Sequence, residues 1–418
     1  MLQHWLALLG LHVSSWQQFR HLLPFGVVGV VSWSVWLIRR TMSRLYRPVP
    51  PGYRTTTSVV VPAYREDPDI LDRCLDSWLA EGPTEVIVVP DVEDTEVIAA
   101  LQRRRDPRLV VIPFAHEGKR SALGVGIRAA TSEVIVLADS DTRWLPGLLA
   151  AVQAPFADDR VGGVGTRQNV YKATSSVWRR VADWMLDVRY LDYVPSQSRA
   201  GAVACLSGRT AAYRRAAVMP VLDHLEHEFF LGRLCVAGDD GRLTWLVLAS
   251  GYRTVYQASA RTLSMFPDRL RAFTKQRVRW SRNSYRCYIT AMWKGWLWRQ
   301  PMICQLSVLQ VMLTPVSMGV ALGYLVHWFL SPRQYVAAIA VGWLLAGRAL
   351  RGLSHLRRRP TDLLVLPLMV IMTIFVALPV KAFAFVTMNR QGWLTRHAGL
   401  VGGEAQGAAS LAGSRSGG

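Results

Sequence analysis

The chain has 418 residues, of which 51% are hydrophobic and 19% charged, with a formal net charge of +20 and five cysteines. Disordered chains are poor in apolar and aromatic residues, and disulfide scaffolds are rich in cysteine, so both classes are excluded. No cysteine has the spacing of a metal site, and we expect buried or free thiols. The positive charge suits nucleic acid, anionic lipid or a phosphate-bearing substrate, and composition alone does not separate these partners.

The apolar residues are concentrated near the two ends of the sequence. Four stretches approach the length of a bilayer span, namely residues 22–38, 303–330, 335–350 and 363–388, and residues 5–13 form a marginal fifth. The first is followed by Arg39, Arg40, Arg44 and Arg47. Because cytoplasmic flanks of membrane spans are rich in Lys and Arg, we expect residues 48–299 to lie in the cytoplasm. Pro367 and Pro379 predict a bend in the last stretch.

Between these stretches, apolar strand patterns alternate with amphipathic helix patterns. We predict strands at 58–62, 85–89, 109–113 and 133–138, and helices at 70–80, 95–105 and 120–130. Such alternation indicates a mostly parallel sheet covered by helices. In sheets of this kind the ligand binds beyond the carboxyl ends of the strands.

Acidic side chains follow two of the predicted strands. Asp91 comes after the second strand, and Asp139 and Asp141 come after the fourth. One of the latter pair could bind a ribose and the other a hard cation such as Mg²⁺, which prefers oxygen ligands. A solvated loop or a helix cap is the alternative for such a short motif.

Two further motifs carry charges next to predicted helix starts. Lys119 and Arg120 begin a helix, where basic residues suit a phosphate, although a solvated turn would look the same. Asp239 and Asp240 are adjacent, and repulsion between them would raise the pKa of one, as suits a general base. Read alone, this pair could equally cap a helix.

A basic, amphipathic stretch, residues 269–286, precedes the last apolar segments and contains Gln276, Arg279 and Trp280. It could lie on anionic lipid, or Trp280 could stack on a sugar ring while the basic side chains face a diphosphate. We favour a helix at the membrane interface that turns one side to the site. The acidic and histidine residues at 224–228 fit no metal-site spacing, and we expect a solvated loop there.

The order of these motifs resembles that of the processive family 2 glycosyltransferases. The chain looks most like the bacterial class I hyaluronan synthases, and it is similar to chitin-oligosaccharide and cellulose synthases over the catalytic part. The matching segments are Val61 to Glu66, Asp91, Gly118 to Arg120, Asp139 to Thr142, Ser207 to Arg209, Tyr213 to Arg215, Gly238 to Asp240 with Leu243 and Thr244, Thr254 to Gln257 with Ala260 and Arg261, Gln276 with Arg279 and Trp280, and Gly392 to Arg396.

The resemblance implies an α/β GT-A domain joined to an α-helical transmembrane region in the cell membrane. It implies an inverting hexosyltransferase that uses Mg²⁺ or Mn²⁺, polymerises a β-linked polysaccharide from UDP-sugars and translocates it. The expected partners are UDP-GlcNAc, alone or with UDP-GlcA, the growing polysaccharide and the bilayer, and no nucleic acid. A non-processive transferase acting on a lipid or short acceptor, and a chitin-like homopolymer synthase, remain open. So does a membrane-anchored binding or transport protein that has lost catalysis.

The resemblance also implies roles for individual residues. The nucleotide-sugar site would comprise Tyr64, Glu66, Asp91, Lys119, Arg120 and Asp139. Asp141, with Asp139, would hold the metal. Asp240 would be the general base, with Asp239 beside it. The acceptor and diphosphate side would comprise Ser207, Gly208, Arg209, Gln276, Arg279, Trp280, Trp393 and Arg396.

The same reading divides the chain into five parts. They are an N-terminal membrane segment with a linker (1–55), the cytoplasmic GT-A domain (56–265), interfacial helices (266–300), C-terminal transmembrane helices (301–390) and a largely disordered cytoplasmic tail (391–418). Arg209 departs from the family pattern, which often has proline at that position, and it adds charge where a sugar ring would lie.

Overall fold

A computed structural model describes residues 26–115 and 117–390, and residues 26–28 by their backbone only. Trp393, Arg396, the marginal span 5–13 and the tail therefore lie outside the described residues. All five cysteines are free, and four of them are buried, as the sequence predicts.

The described chain contains ten strands. They are β1 (Thr57–Ala63), β2 (Glu85–Pro90), β3 (Leu109–Val111), β4 (Val134–Ala138), β5 (Thr142–Trp144), β6 (Val161–Val170), β7 (Thr210–Arg214), β8 (Phe229–Phe230), β9 (Arg233–Leu234) and β10 (Arg253–Ser264).

The α-helices surround the sheet and then continue beyond it. They are α1 (Gly26–Arg44), α2 (Pro68–Leu79), α3 (Thr95–Arg103), α4 (Lys119–Ala129), α5 (Leu148–Gln153), α6 (Val177–Asp187), α7 (Val194–Arg199), α8 (Arg215–Val218), α9 (Leu222–Glu226), α10 (Asp239–Ala249), α11 (Leu270–Trp293), α12 (Met302–Leu330), α13 (Gln334–Arg351), α14 (Leu353–Leu356), α15 (Leu366–Ile371) and α16 (Leu378–Val386). Short 3-10 segments occupy Ala154–Ala157, Ala173–Ser175, Met219–Val221, Leu297–Arg299 and Pro360–Val365, and π-helical segments occupy Val188–Tyr193 and Met372–Ala377.

The main sheet has eight strands in the order β3-β2-β1-β4-β7-β6-β10-β5. Strands β1 to β4 are parallel to their neighbours, as the alternating pattern predicts. The expectation of a mostly parallel sheet is wrong for the other half, because β7 runs antiparallel to both β4 and β6 and β5 runs antiparallel to β10. The fold is therefore an α/β GT-A-like mixed sheet.

Alternate residues of the central strands face the two helical layers. Val59 and Val61 of β1 belong to a buried cluster with Trp78 of α2. Val60 belongs to the opposite cluster with Ile127 of α4. Since successive side chains of a strand point to opposite faces, an all-apolar strand such as β1 needs cover on both sides. This two-sided cover fixes where β1, β2 and β4 end.

Two described helical runs, Met302–Leu330 and Pro360–Val386, are long and apolar enough to cross a membrane. At 1.5 Å per residue, their 29 and 27 residues span about 40 Å, more than the hydrocarbon core of about 30 Å. Helix α13 does not meet this test, because its last turn carries Arg348 and Arg351. The stretch at 335–350 is therefore not supported as a span, and the total number of spans stays a prediction.

The run Pro360–Val386 changes its hydrogen-bonding pattern along its length. It passes from 3-10 to α to π and again to α turns. Pro367 and Pro379 lie in the first turns of its two α segments, where a missing N–H costs least. The bend in this run stays a prediction, but its irregular turns adjoin both prolines.

Candidate active site at the strand ends

The carboxyl ends of three parallel strands meet at one edge of the sheet. Tyr64 follows β1, Asp91 follows β2 and Asp139 follows β4. Tyr64, Asp91 and Lys119 line a small pocket whose walls include Val89 of β2. The structure therefore brings three of the predicted nucleotide-sugar residues together around one recess.

Glu66 reaches the same edge by a different route. Arg65, the residue before it, has a left-handed backbone with φ of 48°, and its N–H donates to Asp94. A non-glycine residue in this region is strained unless its surroundings hold it there. The turn carries Glu66 to Ser140, whose hydroxyl donates to the Glu66 carboxylate. Glu66 thus touches the loop between Asp139 and Asp141.

Lys119 joins two carboxylates from different parts of the chain. Its Nζ lies 2.7 Å from Oδ1 of Asp139 and 3.0 Å from Oδ2 of Asp239. Gly118, with φ of 103°, starts α4 in a conformation that L side chains rarely adopt, so it places Lys119 at the strand ends. Burial alone would lower the pKa of Lys119, but Asp139 and Asp239 raise it above its usual value. The ammonium is therefore held in its charged form.

Asp239 and Asp240 stand side by side in the first turn of α10 but are in opposite electrostatic situations. Burial raises the pKa of Asp240 above its usual value, and the neighbouring Asp239 raises it further. For Asp239 burial acts in the same direction, but Lys119 outweighs it and lowers the pKa below the usual value. The N-cap of α10 is Gly238, so the helix-cap alternative does not describe the two side chains.

Gly208 lets the backbone approach this group closely. A Cβ at this position would lie 3.3 Å from Asp239 Oδ2 and 3.4 Å from Lys119 Nζ. Its N–H is 3.5 Å from Oδ2 of Asp240, and the Cys205 thiol is 3.9 Å from the same oxygen. We call Lys119, Asp139, Asp239 and Asp240 the strand-end cluster.

Arg120 points away from the strand-end cluster. It is 3% exposed, donates to the carbonyl oxygens of Leu225, Ala237 and Gly238, and forms a 2.8 Å ion pair with Glu228. These contacts do not support its predicted place in nucleotide binding. They show that it supports the loop before Asp239.

The expectation of a solvated loop at 224–228 is wrong for Glu228. This carboxylate is buried and also forms a 3.2 Å ion pair with Arg242. Arg120 lies 108 positions earlier in the chain, so local sequence gave no signal for the pairing.

Arg209 lies between the metal-motif carboxylates and the amphipathic helix α11. Its guanidinium is 3.9 Å from the ring centre of Phe266 and 5.1 Å from that of Trp280. Burial lowers its pKa, while Asp141 and Asp139 partly offset that effect. Arg209 is therefore next to Asp141 and stacked on Trp280. Phe266 was not predicted, since it belongs to no motif.

The remaining predicted residues surround this stack at different depths. Ser207 donates to Oε1 of Gln168 at 3.3 Å. Gln276 is buried, and its Oε1 lacks a hydrogen-bond partner among the described residues. Arg279 is close enough to Arg209 to lower the latter's pKa. The structure thus brings Arg209, Arg279 and Trp280 together, whereas Ser207 contacts the sheet.

The carboxylates at this edge fit a hard divalent cation by their chemistry. Asp139 and Asp141 come from one loop and offer oxygen ligands, which Mg²⁺ and Mn²⁺ prefer. Asp139 gives Oδ1 to Lys119. Asp141 is half-buried and close to Arg209. The donor set therefore fits the predicted metal.

A second group of carboxylates and histidine, Asp183, Asp187 and His355, also has metal-ligand spacing. Its His355 is fully buried, with Nδ1 2.8 Å from Asp187 and Nε2 2.7 Å from Asp362. Both ring nitrogens are thus engaged, and neither is open to an ion. We call His355, Asp183, Asp187 and Asp362 the histidine cluster, and we assign it a structural role.

A mixed sheet with this acidic edge is typical of a GT-A glycosyltransferase. A profile described as Glycosyltransferase like family 2 matches residues 52–283. The chain belongs to this family, which implies a nucleotide-sugar donor, and the expected class of hexosyltransferase is confirmed.

Individual relatives extend the likeness along the chain. An N-acetylglucosaminyltransferase of Rhizobium meliloti (strain 1021) is 28% identical over 375 residues, covering 84% of this chain and 82% of the relative. A hyaluronan synthase of Streptococcus pyogenes is 27% identical over 385 residues, covering 89% of this chain and 90% of the relative. The expected resemblance to hyaluronan synthases and chitin-oligosaccharide synthases is thereby confirmed.

A solved structure supports the fold. A mannosyltransferase from Pyrobaculum calidifontis, in complex with GDP-Man and Mn²⁺, aligns with a TM-score of 0.59 and 21% identity, covering 83% of this chain and 97% of that one. At this identity the similarity extends to the fold alone.

Proposed function

We propose that this protein is a membrane-embedded, inverting, processive glycosyltransferase that polymerises a β-linked polysaccharide from UDP-sugars and translocates it. The observation that carries the proposal is the strand-end cluster, in which Lys119 pairs with Asp139 and Asp239 beside Asp240. It combines a fixed positive charge for a diphosphate with a carboxylate whose pKa is raised toward that of a base.

In this proposal the donor nucleotide occupies the recess at the strand ends. Tyr64 and Asp91 bind the base, and Glu66 holds the ribose region through its position on the Asp139 loop. Lys119 faces the diphosphate. Arg120 contributes indirectly, because it supports the loop that carries Asp239.

Asp141, together with Asp139, would hold Mg²⁺ or Mn²⁺. When bound, the cation neutralises charge that develops on the departing UDP. The protein's own contribution is to keep two carboxylates at one loop and a lysine beside them, so the diphosphate meets preorganised charges.

Asp240 would accept the proton from the acceptor hydroxyl. The hydroxyl oxygen forms a bond to C1 of the donor sugar as the bond from C1 to the diphosphate oxygen breaks, and UDP leaves. The raised pKa suits this step, since a base is most effective when its pKa approaches the working pH. Asp239 maintains that pKa by its negative charge.

The acceptor end would lie against Trp280, with Arg279 and Arg209 near the diphosphate. Trp280 presents an aromatic face beside Arg209, and this pairing supports a subsite that is both apolar and charged. Gln276 is buried in the same helix and helps to position it. Gly208 keeps the backbone close to Asp240.

For membrane placement we propose the five-part division given above, with a multi-pass chain and a cytoplasmic catalytic domain. Two long apolar helical runs support the membrane region. Arginines at 39, 40, 44 and 47 support the cytoplasmic side, since positive flanks remain inside.

For the donor we propose UDP-GlcNAc, used alone or with UDP-GlcA. The names of the relatives favour these two arrangements, because one is an N-acetylglucosaminyltransferase and another a hyaluronan synthase.

The test is UDP release by the purified full-length chain in neutral detergent with Mn²⁺ or Mg²⁺. Each UDP-sugar is supplied singly and in pairs, and product length is measured by gel electrophoresis. We expect turnover with UDP-GlcNAc, alone or only with UDP-GlcA, and long products. An EDTA-treated sample is the control. Turnover with no UDP-sugar would contradict the proposal, and short products only would favour the non-processive alternative.

A further inference from the structure

A cavity of about 280 Å³ lies between α6, α11 and the C-terminal helices. Its lining includes four basic side chains, Arg189, Arg277, Arg348 and Lys381. Over the described ranges 26–115 and 117–390, no Asp or Glu lines it. The cavity therefore concentrates positive charge without a neutralising carboxylate in its wall.

The two arginines nearest the catalytic domain are poorly satisfied. Arg277 stacks on Phe273 at 4.7 Å and on Trp280 at 4.9 Å, but its Nε and one terminal nitrogen are buried without a hydrogen-bond partner among the described residues. Arg189 gives one N–H to the carbonyl oxygen of Cys205, while its buried Nε has no such partner there. Buried donors normally have partners, so these atoms point to an acceptor supplied by a ligand.

Electrostatics gives the same indication. Burial lowers the pKa of Arg277 to about 9, and repulsion from Arg209 and Arg189 adds to that effect. A cation that is destabilised by burial and by other cations is stabilised when an anion enters beside it. The cavity is thus prepared for negative charge.

The cavity begins where the acceptor is proposed to lie. Trp280 is part of its wall and also part of the stack with Arg209, which adjoins Asp141. At its other end, Arg348 and Thr373 also line a second cavity of about 640 Å³ among the apolar helices. A chain leaving the strand-end cluster past Trp280 would therefore enter the basic cavity next.

We propose that this cavity binds carboxylate groups of the growing chain, so that the polymer is an acidic glycan containing uronic acid residues. The inference rests on the proposed function and narrows its substrate class. A neutral chain of N-acetylated sugars would leave the buried guanidinium groups without an anion. Phe273 and Trp280 offer flat apolar faces to sugar rings, which favours a glycan over a phospholipid headgroup.

The test compares two oligosaccharides of equal length on the purified full-length chain in neutral detergent. One alternates glucuronate with N-acetylglucosamine, and the other contains N-acetylglucosamine only. We expect the acidic probe to bind at least about tenfold more tightly, since a hydrogen bond to a charged group is worth that ratio or more. The advantage should shrink at high salt.

Charge-neutralising variants link the preference to the cavity. Arg277→Gln and Lys381→Gln should each reduce the acidic preference several-fold, and Lys381→Gln serves if the first variant folds poorly. Arg271→Gln is the matched control, because this exposed arginine lies on the same helix outside the cavity. It should leave the preference unchanged.

Equal affinity for the two probes would overturn the inference. So would abolition of acidic binding by phosphatidylglycerol at low molar ratio, which would identify the site as one for lipid. UDP release by the same preparation keeps the two proposals apart. Turnover without acidic preference refutes the cavity inference alone, whereas acidic preference without turnover on any UDP-sugar refutes the proposed function alone.

Discussion

Two groups of buried carboxylates, of similar composition, are built differently. In the histidine cluster Asp187 pairs with His355 and Arg358, and Asp362 pairs with His355 and Arg180. In the strand-end cluster Lys119 serves both Asp139 and Asp239, and Asp240 lies beside them with a raised pKa.

The difference separates a structural role from a chemical one. Asp183 also has a basic neighbour, with Arg359 at 3.5 Å, so the acids of the histidine cluster are matched by cations. The cluster joins α6 of the catalytic domain to the segment between α13 and the last helical run. In the strand-end cluster negative charge exceeds its local compensation, which suits a site that recruits a cation and a diphosphate.

The largest effect is expected from Asp240→Asn. Removing the proposed base should reduce UDP release by about 10³-fold, within the range for general-base catalysis. The measurement is the initial rate per folded molecule. Asp223→Asn is the matched control, since this acid is in the same domain and its side chain is 85% exposed. Release at the unmodified rate by Asp240→Asn would remove Asp240 from the mechanism.

The next effect is on stability and concerns Asp362→Asn. The change leaves His355 and Arg180 with unbalanced charge, and breaking a buried pair costs about 3–5 kcal/mol. Chemical denaturation in detergent measures the loss. UDP release per folded molecule should stay within about twofold at a temperature where the variant is folded. An unchanged free energy of unfolding, or a selective loss of activity, would contradict the structural role.

The dependence on pH should also distinguish the clusters. The pKa of Asp240 is raised, so kcat/KM should fall as pH falls through a value above the usual 3.8 for aspartate. Asp239→Asn removes one cause of that shift and should move this acid limb to lower pH. Burial raises the pKa of Asp187, but His355 and Arg358 outweigh it and lower the pKa overall. Stability from Asp187 is therefore present above pH 3.8 and lost as pH falls through the lowered pKa.

A limb that stays in place in Asp239→Asn would show that Asp239 does not set the pKa of the base. Wild-type protein measured in the same buffers is the reference.

The smallest effect is expected from Arg128→Gln. Arg128 is 46% exposed and pairs with Glu226 and Asp223 near the surface. Exposed pairs contribute at most about 1 kcal/mol, so both stability and UDP release should change little. A loss comparable to that of Asp362→Asn would show that burial does not separate these ion pairs.

The sequence predicted best what depends on local pattern. The helix expected at 70–80 is observed at Pro68–Leu79, where the Asp67 side chain caps it and Pro68 begins it. The parallel half of the sheet followed from alternating strands and helices. The antiparallel half did not, because β5, β6, β7 and β10 are not separated by regular crossover helices.

Within the site, the acidic motifs were predictable and their partners were not. Asp139 and Asp240 follow or begin regular elements, so their positions at the sheet edge could be inferred. The pairing of Arg120 with Glu228 and the stacking of Arg209 on Phe266 join residues far apart in sequence. Such contacts are set by tertiary packing, and no local pattern encodes them.

The most direct test of the comparison is Mn²⁺ binding in the presence of UDP, followed by electron paramagnetic resonance on the full-length chain. We expect bound Mn²⁺ to be lost in Asp141→Asn and retained in Asp183→Asn, because only the strand-end carboxylates are proposed to hold the ion. Retention of the bound signal in Asp141→Asn together with its loss in Asp183→Asn would contradict the account.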